Sequence, residues 1–226
     1  MKSKLLLFDI DGTLISSGGA GETALSLGLK TQFGIEDDLK NIEIAGCTDS
    51  GIARRVFEKH QVEASPENLA AFFNGYLSHL SRLLPQTGGR LLPGIVPLLD
   101  QLQARGDVLL ALLTGNLARG AELKLVHYGL WDYFKFGAFA DDHHDRNELG
   151  RFAQARALEQ HGQVFPPQSI YVLGDTPHDI SCARAIGAKA VAIATGKFTS
   201  AQLAEHTPDY LFEDLSDVEA VLKTLD

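Results

Sequence analysis

Hydrophobic positions along the chain fall into two rhythms. Residues 4–8, Lys-Leu-Leu-Leu-Phe, are apolar on both faces of an extended segment rather than at every second position, the pattern of a central parallel strand covered on both sides. Short apolar runs at residues 108–113, 136–140, 170–173 and 190–194 read the same way, and a weaker one lies at 210–212. Between and after them, residues 95–105, 118–128, 149–161, 178–186 and 215–225 carry apolar side chains at helical spacing. Strands alternating with helices predict an α/β fold, a Rossmann-like parallel sheet core with helices on both faces.

One stretch breaks the alternation. Between about residues 15 and 90 there is no buried-strand pattern, only helical patterns at 22–33, 50–60 and 66–84. The organisation expected is therefore a core domain made of residues 1–15 and 90–226, with residues 16–89 inserted as an α-helical cap domain. Ser16-Ser17-Gly18-Gly19-Ala20-Gly21 and Pro85-Gln86-Thr87-Gly88-Gly89 flank the insertion and supply residues that absorb backbone rotation. A helical body on two such connections is placed to act as a lid. The glycines do not make a nucleotide loop, because no Gly-Lys-Ser/Thr follows and GxGxxG spacing is absent.

Composition narrows the setting. The 226 residues are 45% hydrophobic and 22% charged, and no apolar run approaches the roughly 18 residues that would span a bilayer. A soluble, cytoplasmic protein with no membrane partner is expected. The formal net charge of -9 and the absence of a Lys/Arg cluster argue against a nucleic-acid partner. Cys47 and Cys182 are far apart and outside any CxxC pattern, as reduced thiols would be. Cys182 falls on the apolar side of a helical pattern and reads as core; Cys47 is left open.

The chemistry starts where the first strand ends. Phe8-Asp9-Ile10-Asp11-Gly12-Thr13 places two carboxylates two residues apart at a strand tip, where alternate side chains share a face. That edge of an open α/β sheet is where ligands bind, and two carboxylates in one small volume call for a cation. An Asp-Gly turn that merely ends a strand is the plainer reading of this segment alone. The second strand ends in Thr114-Gly115-Asn116, bringing a hydroxyl and exposed backbone amides suited to phosphoryl oxygens. The third ends in Gly174-Asp175-Thr176-Pro177-His178-Asp179, with two further carboxylates suited to Mg²⁺ as hard oxygen ligands.

With Asp9-Ile10-Asp11-Gly12-Thr13, Thr114 and Gly174-Asp175-Thr176-Pro177-His178-Asp179 in place, the chain resembles the haloacid dehalogenase superfamily in its phosphatase branch, phosphoglycolate phosphatase-like, over essentially its whole length. The insertion matches the smaller, C1 type of cap. The lysine usual in the third motif is replaced: Arg146 stands at the corresponding spacing, with Arg151 a second choice. Arginine can serve a phosphate but is planar and bidentate where lysine is a point charge. The resemblance implies that Asp9 attacks phosphorus to form an aspartyl-phosphate. Asp11 would protonate the leaving oxygen and then deprotonate water, so its surroundings are expected to favour the neutral form. Mg²⁺ would be held by Asp9, Asp175 and the Asp11 backbone carbonyl, with Asp179 a ligand or orienting metal-bound water. Thr114, Gly115, Asn116 and Arg146 would hold the phosphoryl oxygens.

Asp11 favours phosphoryl transfer over dehalogenation, which has no use for an acid. A sugar-phosphate mutase of the same fold, β-phosphoglucomutase-like, remains open, since a closed lid can pass the phosphoryl group to a sugar hydroxyl. A non-catalytic phosphate-binding regulator would need the nucleophile or the acid to be missing, and both are present. Substrate choice is expected in the cap, in Gly46, Thr48, Arg54 and Arg55, where an arginine could pair with the carboxylate of a small phospho-acid; a solvated helix face is the competing reading. The partner expected is a small phosphorylated metabolite, and the protein a monomer or homodimer. Asp141-Asp142-His143-His144-Asp145 looks metal-like but lacks ligand spacing fixed by a helix or turn, and Trp131, Tyr133 and Phe134 read as packing.

Overall fold

A computed structural model describes residues 3–225; residues 1, 2 and 226, which the expected core domain includes, lie outside the described residues. Among the described residues, six strands form one parallel sheet in the order β5-β4-β1-β6-β7-β8. They are β1 (Lys4–Phe8), β4 (Val108–Leu113), β5 (Gly137–Ala138), β6 (Ile170–Gly174), β7 (Lys189–Ile193) and β8 (Tyr210–Phe212). The unbroken apolar run of β1 is explained by its position. Leu6 and Phe8 point into one hydrophobic cluster, with Leu98, Leu99 and Leu125, while Leu5 and Leu7 point into another, with Leu149, Ala153 and Ile180. Leu5, Leu6, Leu7 and Phe8 are all fully buried, each side chain contributing about 1.5–3 kcal/mol of transfer free energy.

The first cluster is closed by α4 (Ile95–Ala104), α5 (Ala118–His127) and α9 (Val218–Lys223), the second by α6 (Arg146–His161), α7 (Pro177–Ala185) and α8 (Ser200–Glu205). Trp131, Tyr133 and Phe134 pack on the first cluster. A third cluster lies among α1 (Ala20–Phe33), α2 (Asp49–Lys59) and α3 (Pro66–Leu83), where Phe57 stacks edge-on between Phe33 and Phe72.

The structure departs from the pattern reading in several places, among them the short helix α8, where none was expected. The run 136–140 forms only the two-residue β5. The helix expected from residue 149 begins at Arg146, because Asp145 caps it by accepting the Asn147 amide. The flanks of the insertion are joined by a two-residue antiparallel ladder, β2 (Ile15–Ser16) with β3 (Arg90–Leu91), and the Thr87 hydroxyl donates to the Ser17 carbonyl beside it. So short a ladder has no local apolar signature.

Candidate active site

The tips of β1, β4 and β6 open into a cavity of about 440 Å³ between the sheet edge and the helices of the insertion. Asp9 follows β1 directly, fixed by its amide donating to the Leu173 carbonyl on β6. The chain then turns at Gly12, whose φ of +84° suits glycine and whose added Cβ would lie 2.3 Å from an Asp175 carboxylate oxygen. The close approach of this turn to Asp175 therefore requires a residue without a side chain.

Asp9, Asp175 and Asp179 bring carboxylate oxygens within 4.8 Å of one another, all buried. Arg146 lies against them: one Nη2 sits 2.8 Å from Asp9 Oδ1 and 2.6 Å from Asp179 Oδ1, and Nη1 donates to the Gly46 carbonyl at 3.0 Å. Its Nε is buried without a hydrogen-bond partner. Three buried acids thus share one permanent cation, and their hard oxygens suit a divalent ion such as Mg²⁺. Burial, opposed by Arg146 and aided by the charges of Asp179 and Asp11, lifts the Asp9 carboxyl to about 6. Burial and the charges of Asp9 and Asp179 push Asp175 well above the ordinary carboxylate range. These shifts are the electrostatic signature of a place that wants more positive charge.

Asp179 is more engaged than the others. One oxygen accepts from the Thr176 amide (3.0 Å) and hydroxyl (2.7 Å), the capping box that starts α7, while the other faces Arg146. Arg151, the second choice for the cation, is exposed and paired with Glu148.

Asp11 differs from expectation. Burial disfavours its charge, but the Lys124 ammonium at 2.5 Å, assisted by the Asn116 amide at 2.9 Å, outweighs burial and holds the carboxyl below its usual value. The neutral Asp11 anticipated from sequence is therefore corrected to an ionised one. Lys124, itself buried, also donates to Asn116 Oδ1 at 2.6 Å. Sequence reading missed it because a lysine in a helix reads as surface. The available signal was its register: Gly120, Ala121, Lys124 and Leu125 are the buried positions of α5.

Gly115 and Asn116 line the cavity. Thr114 is fully buried behind them, its hydroxyl accepting from the Asn116 amide groups. Of the cap residues, Gly46 lines the cavity, but Thr48 caps α2 by accepting the Gly51 amide and donates to the His144 carbonyl. Arg54 is exposed, and Arg55 turns to the Glu43 carbonyl (3.0 Å) and the Cys47 sulfur (3.2 Å). Neither arginine is among the residues lining the cavity, because both lie on the solvent side of the apolar stripe Ile52, Ala53, Val56 and Phe57. The run 141–145 serves as turn and cap: Asp142 pairs with Arg156, Asp141 accepts the Ala118 amide and Asp145 caps α6. Cys182 is core, its thiol donating to the Arg146 carbonyl and pushed up to about 12 by burial.

Asp49, at the start of α2, brings an acid that sequence reading did not single out. Its carboxylate accepts the Leu117 amide at 2.8 Å, and burial, opposed by Lys124, raises it from 3.8 to about 6. A raised folded-state value means that stability is lost as pH climbs from about 4 through 6, and the full penalty is present at neutrality. Asp49→Asn, which can still accept from Leu117, is expected to be more stable than the parent by roughly 1–3 kcal/mol at pH 7.5, the gain vanishing near pH 4. Urea unfolding at the two pH values measures this.

The chain is 26% identical over 222 residues to "Probable phosphatase IndB" of Dickeya dadantii, covering 95% of this chain and 91% of that protein. It is 27% identical over 219 residues to a protein of Synechococcus elongatus named phosphoglycolate phosphatase, covering 94% of each. Among solved structures, a hydrolase from Pseudomonas syringae shares the fold with a TM-score of 0.75 at 21% identity, over 98% of this chain and 99% of that one. Residues 6–193 match the family described as haloacid dehalogenase-like hydrolase. A match spanning most of the sheet, the insertion and the strand tips that carry Asp9, Thr114 and Asp175 places the chain in the haloacid dehalogenase-like hydrolase family.

Proposed function

We propose that the protein is a Mg²⁺-dependent phosphatase that hydrolyses a small phosphorylated metabolite through an aspartyl-phosphate on Asp9. The observation that carries this reading is the placement of Asp9: a buried carboxylate at the tip of β1, opening on the cavity, with Arg146 against it and Asp11 two residues on. The names of the Dickeya and Synechococcus relatives support it.

Asp9 attacks phosphorus in line; the Asp9–phosphorus bond forms as the ester P–O bond breaks, and the leaving oxygen takes a proton. Arg146 and the Gly115 and Asn116 amides hold phosphoryl oxygens. Asp9, Asp175 and the Asp11 backbone carbonyl would hold Mg²⁺, with Asp179 fixing the start of α7 behind them. Bound there, the ion offsets repulsion between the anionic nucleophile and the anionic substrate. Asp11 is ionised in the resting site, the form a general base needs in the second step, when water attacks phosphorus and Asp9 is regenerated. For the first step, the approach of a phosphate dianion raises the proton affinity of Asp11, and the Lys124–Asp11 pair carries the proton. Lys124→Met removes the counter-charge and leaves burial unopposed. With the cation of the proton-carrying pair gone, kcat/KM at pH 7 is expected to fall ~10- to 100-fold, as a pH–rate series with the parent alongside would read.

The substrate class is a small phospho-acid of the phosphoglycolate type. Lys197, on the cavity wall and ion-paired with Glu22 at 2.7 Å, is the cation offered to the substrate carboxylate in place of Arg54 or Arg55. Phosphate release from a panel including phosphoglycolate and sugar phosphates, with Mg²⁺ or EDTA, tests the reading. Metal-dependent release that favours phosphoglycolate supports it. Isomerisation of a sugar phosphate without phosphate release would replace it with a mutase.

A further inference from the structure

At the rim of the cavity, outside the acid cluster, three ligand types of a different chemical character converge. Glu43 and Cys47 belong to the loop that leads into α2, and His178 is the second residue of α7 on the sheet side. The carboxylate oxygen, the sulfur and a ring nitrogen lie within 4.8 Å of one another, with His178 Nε2 3.1 Å from Glu43 Oε1. We propose that Glu43, Cys47 and His178 form a second metal site, a three-ligand seat for a borderline-soft divalent cation such as zinc, which fastens the loop before α2 to α7.

The donor set decides the ion. Sulfur, imidazole nitrogen and a single carboxylate suit zinc and its neighbours and serve Mg²⁺ poorly, whereas the all-carboxylate cluster of Asp9, Asp175 and Asp179 has the opposite preference. The two sites are thus separated by ligand softness. Ligand atoms around a tetrahedral zinc lie about 3.5 Å apart, so no pair here has to close by more than about 1.3 Å, and Glu43 and His178 are already nearer than that spacing. Two of the three side chains have room for it: Glu43 is 61% exposed and His178 37%, which also leaves the fourth position to water.

The backbone holds the loop in place for this. Cys47 donates its amide to the Ile44 carbonyl at 3.0 Å, closing the turn that brings Glu43 and Cys47 together. Gly46 has φ +74°, and a Cβ there would sit 2.7 Å from the His178 ring and 2.6 Å from the Thr176 hydroxyl. The loop therefore lies directly on the imidazole. One group competes with a metal: Arg55, whose Nη1 is 3.2 Å from the sulfur and 3.7 Å from the Glu43 carboxylate. An incoming cation takes over the position that Arg55 now holds. Because Gly46 and Cys47 are part of the cavity wall and Gly46 also receives Arg146, a metal at this seat pins the wall of the substrate cavity.

Cobalt(II) is the probe, because a thiolate ligand gives it a near-ultraviolet charge-transfer band that oxygen ligands do not. The full chain is titrated with Co²⁺ in excess Mg²⁺, which keeps the carboxylate site filled. The expected result is a band that saturates at one equivalent and is bleached by Zn²⁺. It should be lost in Cys47→Ser, weakened more than about ten-fold in affinity in His178→Gln and Glu43→Gln, and tightened in Arg55→Gln. Alkylating the parent protein gives a second route should Cys47→Ser fail to fold, since Cys182 is fully buried; the alkylated protein should show no band. Absence of the band in the folded parent, or its persistence after alkylation or in Cys47→Ser, overturns the site. The readout is spectroscopic and does not depend on whether the enzyme hydrolyses a phosphate ester.

Discussion

Asp9→Asn is expected to lower kcat by about 10⁴-fold or more and at the same time to raise the melting temperature in EDTA. The first effect follows from removing the only atom placed to attack phosphorus at the tip of β1. The second follows from charge. Asp9 and Asp179 both pair with Arg146, whose charge also acts on Asp175, and Asp9 ionises only at about 6 because burial and the neighbouring acids oppose it. An acid whose folded-state value is raised costs stability as pH rises from about 4 through 6, and at pH 7.5 the whole cost is present. Neutralising it returns on the order of 1–3 kcal/mol, or a few degrees in a chain of this size, at ~2–4 °C per kcal/mol. Added Mg²⁺ should reverse the order, because the parent gains binding free energy that the variant has partly lost. Thermal melts of both proteins at pH 5 and 7.5, with EDTA and with Mg²⁺, read the stability changes, and steady-state turnover reads kcat. A variant that keeps activity within ten-fold of the parent would remove Asp9 from the nucleophile's place. Equal melting temperatures in EDTA would mean that the acids are not a strained cluster.

The parts of this site that were legible in the sequence are those fixed by position along a strand. Leu5 to Phe8 face two cores at once and can only be central, so Asp9 had to emerge at the sheet's ligand-binding edge. Thr114 and Asp175 followed from the same logic at the tips of β4 and β6. What stayed hidden depends on contacts between elements distant in sequence. Lys124 lies 113 residues from Asp11, and nothing local says that α5 turns it inward except the small residues Gly120 and Ala121 on its face. Arg54 and Arg55 flank the apolar stripe of α2, and periodicity alone does not say which flank meets the cavity. Asp179 carries two roles in one residue type: the sequence Thr-Pro-His-Asp is a capping box as well as a source of carboxylate, and here the cap takes one of its oxygens.

Arg146 should separate charge from geometry at the same position. Its Nη2 bridges Asp9 and Asp179, and its Nη1 reaches the Gly46 carbonyl of the loop above them. A lysine ammonium at residue 146 is a single point that can sit between the two carboxylates but cannot also extend to that carbonyl. Arg146→Lys is therefore expected to fold with little loss of stability, to keep kcat within ~10-fold, and to raise KM, because the loop carrying Gly46 and Cys47 loses its tie to the catalytic floor. Arg146→Ala is a different experiment: it removes the cation paired with Asp9 and Asp179, at a cost of about 3–5 kcal/mol, and activity should fall ~10³-fold or more. Urea unfolding with EDTA and with saturating Mg²⁺ distinguishes the two effects, since a bound divalent ion supplies part of the missing charge and should narrow the Ala deficit while leaving Lys nearly unchanged. An Arg146→Lys protein with parental KM would show that the Gly46 contact does not order the substrate cavity. An Ala variant as stable as the parent in EDTA would show that the acids do not need a cation in the resting state. Either result would weaken the reason for an arginine at residue 146: it gives charge to the floor and a handhold to the wall.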